Sequence, residues 1–102
     1  MAQGSVKPLV VVWLRKALLN LDEEAAYIAQ DNPQAARQVV AQIVHAIELL
    51  GQRPGLGRPG RVPGTREVPV AKTRYLIPYR VHDQRVEILR VFHMSRKPPS
   101  QW

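Results

Sequence analysis

"RYLIPYRVHDQRVEILRVFH", residues 74 to 93, has the two-residue alternation of a β-strand on both sides of a short polar dipeptide. One face of its first half carries Tyr75, Ile77, Tyr79 and Val81, and the other carries Leu76, Pro78 and Arg80. The dipeptide "DQ" suits a two-residue turn, so residues 85 to 93 should return as an antiparallel strand. A tight turn places Arg80 opposite Glu87, a favourable pair of opposite charges. The segment therefore predicts a β-hairpin.

Upstream of the hairpin, the apolar residues change to the three- and four-residue spacing of helices. Residues 7–13, "KPLVVVW", are mostly apolar and β-branched, and they predict a first strand. A helix then runs to about Asp31, and Asn32 with Pro33 suits the start of a second helix that ends near Leu50. The short connection requires the helices to lie antiparallel. Their apolar faces carry Leu14, Leu18, Leu21, Ala25 and Ile28, and Ala36, Val40, Ile43, Ile47 and Leu50.

The segment between the helices and the hairpin is rich in glycine and proline. Residues 51–65 contain five of the six glycines and three prolines, which excludes a helix or a central strand there. "TREVPVA", residues 65–71, predicts a short strand that Pro69 confines to an edge or a bulge. The element order is therefore β-α-α-β-β-β. We expect an α+β fold, with a small, mainly antiparallel sheet and an antiparallel helical hairpin packed on one face.

The length of 102 residues and a hydrophobic content of 45% favour a single domain. We assign residues 7–97 to that domain. Residues 1–6 are interpreted as a disordered N-terminus or a cloning remnant, and residues 98–102 as a C-terminal tail.

The residue types also restrict the compartment and the cofactors. The chain has no cysteine, which fits a reducing compartment, so we expect a cytoplasmic protein. The apolar run from Leu9 to Leu14 is too short to cross a membrane. His45, His82 and His93 lack the spacing of metal ligands, so neither a metal nor another cofactor is expected.

The charge is distributed unevenly along the chain. Residues 1–50 hold four basic and five acidic side chains, and residues 51–102 hold eleven basic and three acidic ones, so the halves carry −1 and +8. A positive surface of this kind attracts a polyanion, either nucleic acid or an acidic protein. Within the glycine-rich segment, Arg53, Arg58 and Arg61 are candidates to hold phosphates or an acidic partner.

The candidates for chemistry on or just after the strands are Arg66, Arg90, His93 and Arg96. In a functional interpretation, guanidinium groups stabilise a phosphoryl transition state while His93 transfers a proton. In a structural one, Arg90 pairs with an acidic residue at 22–24 in the first helix, which we favour because a charge in an apolar strand is usually paired. The structural interpretation of His93 is that it packs at the end of a strand, and that of Arg96 is that it is a solvated charge in the tail. Trp102, expected to be exposed, is either a contact residue or without a role.

Several segments together resemble one protein family: "WLRKALLNLDEEAAYIAQDNPQAARQV", "P-G-x-G-R", "GTREVPV", "YLIPYRV" and "VEILRVFHMSRK". They are similar to the RelE/ParE toxins of bacterial type II toxin-antitoxin modules. The resemblance covers nearly the whole chain, and it implies the same order of elements that the periodicity predicts.

The two branches of this family differ in activity. RelE-like members cut mRNA in the ribosome with two lysines on the second strand, an arginine after the tyrosine that opens the third strand, an arginine after the last strand and a C-terminal tyrosine. The corresponding positions here are Glu67 and Pro69, Leu76 after Tyr75, Arg96, and the neighbourhood of Trp102. Only Arg96 matches, and an apolar Leu76 cannot stabilise developing charge.

The resemblance therefore implies the ParE branch, whose members poison DNA gyrase by binding and are not enzymes. It also implies neutralisation by a cognate ParD-type antitoxin in a hetero-oligomer, and no sequence-specific DNA binding by the toxin alone. The alternative is a RelE-like, ribosome-dependent mRNA endoribonuclease that uses Arg66, Arg90, His93 and Arg96. A toxin-like fold that has lost toxicity and only binds its antitoxin or nucleic acid stays open as a third interpretation.

Two sets of contact residues are expected on this basis. For the target we expect Arg58, Arg61, Arg90, His93, Arg96 and Trp102, because they lie in the basic half and in the tail. For the antitoxin we expect apolar residues of the helical hairpin, namely Leu14, Leu18, Leu21, Ile43 and Ile47.

Overall fold

The computed structural model describes residues 7–102, so the interpretation of residues 1–6 lies outside the described residues. The elements are β1 (Val10–Trp13), α1 (Arg15–Asp31), α2 (Pro33–Gln52), β2 (Arg58–Pro59), β3 (Arg66–Pro69), β4 (Tyr75–His82), β5 (Arg85–Ile88) and β6 (Phe92–His93). The predicted α+β class is confirmed. Within the described residues, neither helix is long and apolar enough to span a membrane.

One mixed sheet contains all six strands. Its order is β1-β5-β4-β3-β2, and β6 pairs with β4 beyond the end of β5. β1 runs parallel to β5, whereas the other pairs are antiparallel, so the expectation of a mainly antiparallel sheet is confirmed.

The two helices cover one face of this sheet. Ile43, Ile47 and Leu50 of α2 are at most 1% exposed, and they belong to the same core as Ile77 and Tyr79 of β4. Burying each such aliphatic side chain contributes about 1.5–3 kcal/mol. The core therefore lies between α2 and the middle of the sheet, and no helix formed by residues 7–102 lies on the opposite face of the sheet.

The helical hairpin is formed by the residues that the sequence indicated. The side chain of Asn32 accepts a hydrogen bond from the N–H of Ala35 at 3.1 Å, and Pro33 is the first residue of α2. α2 runs two residues beyond Leu50, and the carbonyl of Gly51 accepts from the N–H of Leu9 at 2.8 Å. A Cβ at Gly51 would lie 2.9 Å from the Leu9 oxygen, so this close contact between β1 and α2 requires glycine.

The β4–β5 turn also follows the prediction. Asp83 and Gln84 have φ angles of 51° and 64°, the left-handed conformation that two-residue hairpin turns use. Arg80 is the register partner of Glu87, and its Nε donates to Glu87 Oε1 at 2.6 Å. The predicted ion pair is confirmed.

The returning strand differs from the prediction, because it is not continuous from residue 85 to 93. Ile88 pairs with Tyr79, and Phe92 pairs with Leu76, so three residues on this strand oppose two on β4. This is a β-bulge. It lies opposite Pro78, which has no N–H to donate to the ladder, and proline inside a sheet is tolerated at such positions.

Arg90 lies within this bulge, and among the described residues it forms no ion pair with an acidic side chain of α1. The N–H of Leu89 donates to the carbonyl of Pro78 at 2.9 Å, but Pro78 cannot return the bond. Arg90 Nη1 instead donates to the Leu89 carbonyl at 2.6 Å. The expected ion pair with an acid at 22–24 is therefore wrong, and Arg90 satisfies the acceptor that the proline leaves open. Partial burial lowers the pKa of Arg90 below its ordinary value.

We expect Arg90→Ala to lower the free energy of unfolding by about 1–2 kcal/mol, because it leaves the Leu89 carbonyl without its donor. In a Pro78→Ala background the loss should be smaller, since the alanine supplies a backbone N–H opposite that carbonyl. Urea unfolding of the two single variants and the double variant measures this coupling. Equal losses in both backgrounds would contradict the role given to Arg90.

Candidate functional site

A cleft of about 440 Å³ lies where the helical hairpin meets the start of β4 and the segment after β6. It is lined by Glu24, Tyr27, Ile28, Val39, Thr73, Arg74, Tyr75, His93, Ser95 and Arg96. We call it the Glu24 cleft. It contains two of the predicted site residues, His93 and Arg96, together with a buried carboxylate and a phenol.

Glu24 organises the cleft. The residue is 7% exposed, and its Oε1 accepts a hydrogen bond from the hydroxyl of Tyr75 at 2.7 Å. Its Oε2 lies 2.9 Å from Arg96 Nη2, in an ion pair whose arginine side chain is 64% exposed. The carboxylate thus connects α1 to β4 and to the segment after β6, and it balances the charge of Arg96.

Tyr75 is held in its neutral form. Burial raises the pKa of its phenol, and the hydrogen bond and the charge of Glu24 raise the pKa further. A phenol in this state donates a hydrogen bond at neutral pH but does not act as a base.

His93 and Ser95 form a second contact in the cleft. The backbone N–H of Ser95 donates to His93 Nδ1 at 3.2 Å, and Ser95 Oγ lies 2.6 Å from the same nitrogen. Since a backbone N–H is only a donor, Nδ1 is the acceptor, and the neutral ring carries its proton on Nε2. The imidazole also packs edge-on against Tyr75, with ring centroids 5.1 Å apart.

A comparison with known protein families identifies the chain. A sequence model of the family described as "ParE toxin of type II toxin-antitoxin system, parDE" matches residues 11–98. The chain belongs to this family. It is 47% identical over 87 residues to the "Putative toxin Y4kP" of Sinorhizobium fredii, covering 85% of this chain and 90% of that protein. It is 35% identical to the Toxin RelE2 of Caulobacter vibrioides over 86 residues, covering 84% and 96%.

Solved structures show the same ParE/RelE fold. A chain of the chromosomal ParDE toxin-antitoxin system of P. aeruginosa superposes with a TM-score of 0.76 at 32% identity, covering 83% of this chain and 95% of that one. A chain of the RelBE2 toxin-antitoxin complex of Mycobacterium tuberculosis superposes with a TM-score of 0.61 at 26% identity, covering 84% and 98%. Both branches of the superfamily therefore share this architecture.

In this ParE-family chain, the four residues of the nuclease alternative are not brought together. His93 and Arg96 line the Glu24 cleft. Arg66 is the register partner of Tyr79, and its Nη1 donates to the carbonyl of Gly57 at 2.7 Å. Arg90 lies in the bulge. Arg66 and Arg90 donate to backbone carbonyls, so of the four predicted residues only His93 and Arg96 line the cleft.

The six residues expected to contact the target are also divided between two faces. Arg58 and Arg61 lie beside Glu67 on the face of the sheet without helices. Trp102 packs there as well, edge-on against Phe92 with centroids 5.3 Å apart. The expectation that Trp102 is exposed is therefore wrong: the residue is partly buried, and its indole N–H is buried without a hydrogen-bond partner among the described residues.

The residues expected to contact the antitoxin need a correction. Ile43 and Ile47 are 0% and 1% exposed because they face the sheet, and Leu21 packs against the same core. Leu14 is partly buried at the start of α1. Of the five, Leu18 is well exposed, at 49%. The ParE-family hairpin instead carries on its outer side an apolar groove of about 620 Å³, lined by Ala25, Ala26, Ala29, Pro33, Ala36, Arg37, Val40, Ala41 and Val44.

Sequence reasoning missed Glu24, Tyr75 and Ser95 as members of the site. The alternation predicts only the strand face of Tyr75, and the sequence offers Glu24 only as one possible partner of Arg90. The register of β4 with β6 places Tyr75 opposite His93, and that pairing depends on a bulge that periodicity does not reveal.

Proposed function

We propose that this chain is a toxin that acts by binding DNA gyrase and that a ParD-type antitoxin neutralises it. The observation that carries the proposal is the ion pair of Arg96 with buried Glu24 at 2.9 Å. Arg96 is the position that matches the ribonuclease pattern of the superfamily. A guanidinium already balanced by a carboxylate has less positive potential for a phosphoryl transition state.

The other positions of the ribonuclease pattern support the same proposal. Leu76 is 1% exposed and packs within the sheet, so it reaches no substrate. Glu67 is 2% exposed, and its carboxylate already accepts from the backbone N–H of Arg61 at 3.1 Å. Neither side chain supplies the positive charge that stabilises the transition state of RNA cleavage.

The proposed antitoxin partner rests on the family and on the charge. The two solved relatives are described as a ParDE system and a RelBE2 complex, which pair a toxin with an antitoxin. The groove on the outer side of the hairpin is lined mostly by alanine and valine, whose small side chains allow close approach of an antitoxin helix. The +8 charge of residues 51–102 attracts an acidic, flexible segment.

A gyrase assay tests the proposed target. With gyrase, relaxed plasmid and ATP, the purified chain should stop supercoiling and accumulate linear DNA. Arg96→Gln should weaken this inhibition, whereas Lys97→Gln, with the same loss of charge at the next exposed residue, should not. Melting curves of both variants separate lost binding from lost folding. Unchanged supercoiling at a large molar excess of the chain would count against the proposal.

One observation keeps the ribonuclease as a second candidate. The hydroxyl of Ser95 contacts the imidazole of His93 in the same cleft as Arg96, so a proton acceptor and a guanidinium are close together. An mRNA cleavage assay, in which programmed ribosomes are added to the same preparation of the chain, distinguishes the two activities. Codon-positioned cuts with unaffected gyrase would replace the gyrase proposal by the nuclease.

A further inference from the structure

Two clusters of the same composition lie on the face of the sheet without helices. In the first, Glu67 of β3 has a side chain only 3% exposed. Its Oε1 lies 3.9 Å from Arg58 Nη2 and 4.0 Å from Arg61 Nη2. The two arginine side chains are 63% and 49% exposed, so they stand between the buried carboxylate and solvent.

The second cluster repeats this arrangement around Glu87 of β5, whose side chain is 9% exposed. Arg80 Nε donates to one carboxylate oxygen at 2.6 Å, and Arg85 Nη2 lies 3.3 Å from the other. The hydrogen bond from Arg80 and the charges of both arginines lower the pKa of Glu87, so the carboxylate stays ionised at neutral pH. Both arginines are about half exposed.

The register places both clusters on one side. Arg58 is directly opposite Glu67, and Arg80 is directly opposite Glu87, and residues that oppose each other in neighbouring strands point to the same face. β3 and β5 flank β4, and the two carboxylates are offset by two residues along it. With the usual strand spacing, their backbone positions are about 12 Å apart. We call Arg58, Arg61, Arg80 and Arg85 the arginine face.

The four positive charges of the arginine face, together with the two negative charges of Glu67 and Glu87, give this surface a net charge of +2. The guanidinium groups of Arg80 and Arg85 are also oriented, because each donates a hydrogen bond to the carboxylate of Glu87. Those of Arg58 and Arg61 lie within ion-pair distance of Glu67 but beyond hydrogen-bond distance. A free arginine loses rotamer entropy when it binds an anion, whereas an arginine already oriented loses less. Guanidinium groups bind phosphate oxygens in pairs, a geometry that depends on orientation.

We propose that the arginine face binds the phosphate backbone of duplex DNA without reading the base sequence. The backbone positions of the two central glutamates are about 12 Å apart, which is of the order of the width of the B-DNA major groove. Arginine side chains that extend from the sheet around these positions should therefore reach phosphates of both strands. The inference goes beyond the proposed function, since it concerns the chain and DNA with no gyrase present.

Fluorescence anisotropy with a labelled duplex of about 20 base pairs and mixed sequence tests the proposal. Affinity should fall between about 50 and about 200 mM salt, with a slope of log K against log salt of about −3 to −4 for four phosphate contacts. Arg80→Gln with Arg85→Gln should reduce that slope by about 2. Arg15→Gln with Arg37→Gln, two exposed arginines of the helices, should leave it unchanged. Equal effects of the two double variants would overturn the proposal.

Charge and orientation are separated by two further variants. Glu87→Gln raises the net charge by one, so charge attraction alone predicts tighter DNA binding. If the orientation of Arg80 and Arg85 by Glu87 matters, the same variant should bind DNA several-fold more weakly. Because Glu87 is buried and its replacement could affect folding, the double variant Arg80→Lys, Arg85→Lys provides the second test. It keeps both positive charges beside Glu87 but loses the paired geometry of the guanidinium groups, so it too should bind DNA several-fold more weakly. Wild-type affinity of the lysine variant would overturn the proposal.

A polyglutamate peptide of similar charge to the duplex is the competing ligand. We expect it to bind at least ten-fold more weakly than the duplex at the same salt concentration. Equal affinity for peptide and DNA would instead assign the arginine face to an acidic protein. The assay contains no gyrase, so its failure leaves the gyrase experiment to be judged by its own result.

Discussion

Replacing Tyr79 with Phe should lower the free energy of unfolding by about 2–4 kcal/mol, although it removes a single oxygen atom. The hydroxyl of this fully buried tyrosine accepts a hydrogen bond from the N–H of Gly57 and donates one to the carbonyl of Pro54, both at 2.8 Å. The phenylalanine leaves a buried donor and a partly buried acceptor without partners, and each orphaned group costs about 1–3 kcal/mol.

The loss should affect the glycine-rich segment first. The two hydrogen bonds of Tyr79 hold residues 54–57 against the centre of the sheet. Position 57 requires glycine, because a Cβ there would lie 2.7 Å from the tyrosine ring. Urea unfolding measures the effect, and Tyr27→Phe is the matched control because Tyr27 is 70% exposed. If both variants were equally stable, the hydroxyl of Tyr79 would have no structural role.

Glu24→Ala should also destabilise the chain by about 2–4 kcal/mol. It removes the acceptor of the Tyr75 hydroxyl and the partner of Arg96, at 2.7 and 2.9 Å. The larger share should come from the buried tyrosine, because the exposed arginine is screened by water. Glu23→Ala, which removes the same charge from an exposed residue of α1, should change stability by less than about 0.5 kcal/mol.

A double-mutant cycle checks this division. Tyr75→Phe alone should be less harmful than Glu24→Ala, and in the Glu24→Ala background it should cost almost nothing, because the hydroxyl has already lost its acceptor. Thermal or urea unfolding of the four proteins measures the coupling. Strictly additive losses would contradict the hydrogen bond as the source of the effect.

Local patterns predicted most of the secondary structure. The turn at residues 83–84 sets the register of its own hairpin, so the pair of Arg80 with Glu87 follows from counting. Asn32 and Pro33 likewise locate the boundary between the helices, since capping depends on neighbours in sequence. Such features are predictable because the interacting atoms are only a few residues apart.

The candidate site was less predictable because its contacts join distant segments. Glu24 and Arg96 are 72 residues apart, and no periodicity relates them. An apolar stripe on a helix indicates that this face is buried, but not whether a sheet or a partner covers it. The sequence alone therefore does not distinguish the core positions Ile43 and Ile47 from antitoxin contacts. The contact of Arg90 is not predictable from the sequence, because its acceptor is the backbone carbonyl of Leu89, which lacks a donor only since Pro78 in another strand has no N–H.

The parallel pairing of β1 with β5 has a consequence for how the chain folds during synthesis. Val10 is the register partner of Arg85, and Trp13 that of Ile88, so each pair joins residues 75 positions apart. Closing so long a loop is entropically costly and slows folding. During translation, the N-terminal strand therefore has no partner until β5 has been synthesised, and until then both helices lack part of the surface on which they pack.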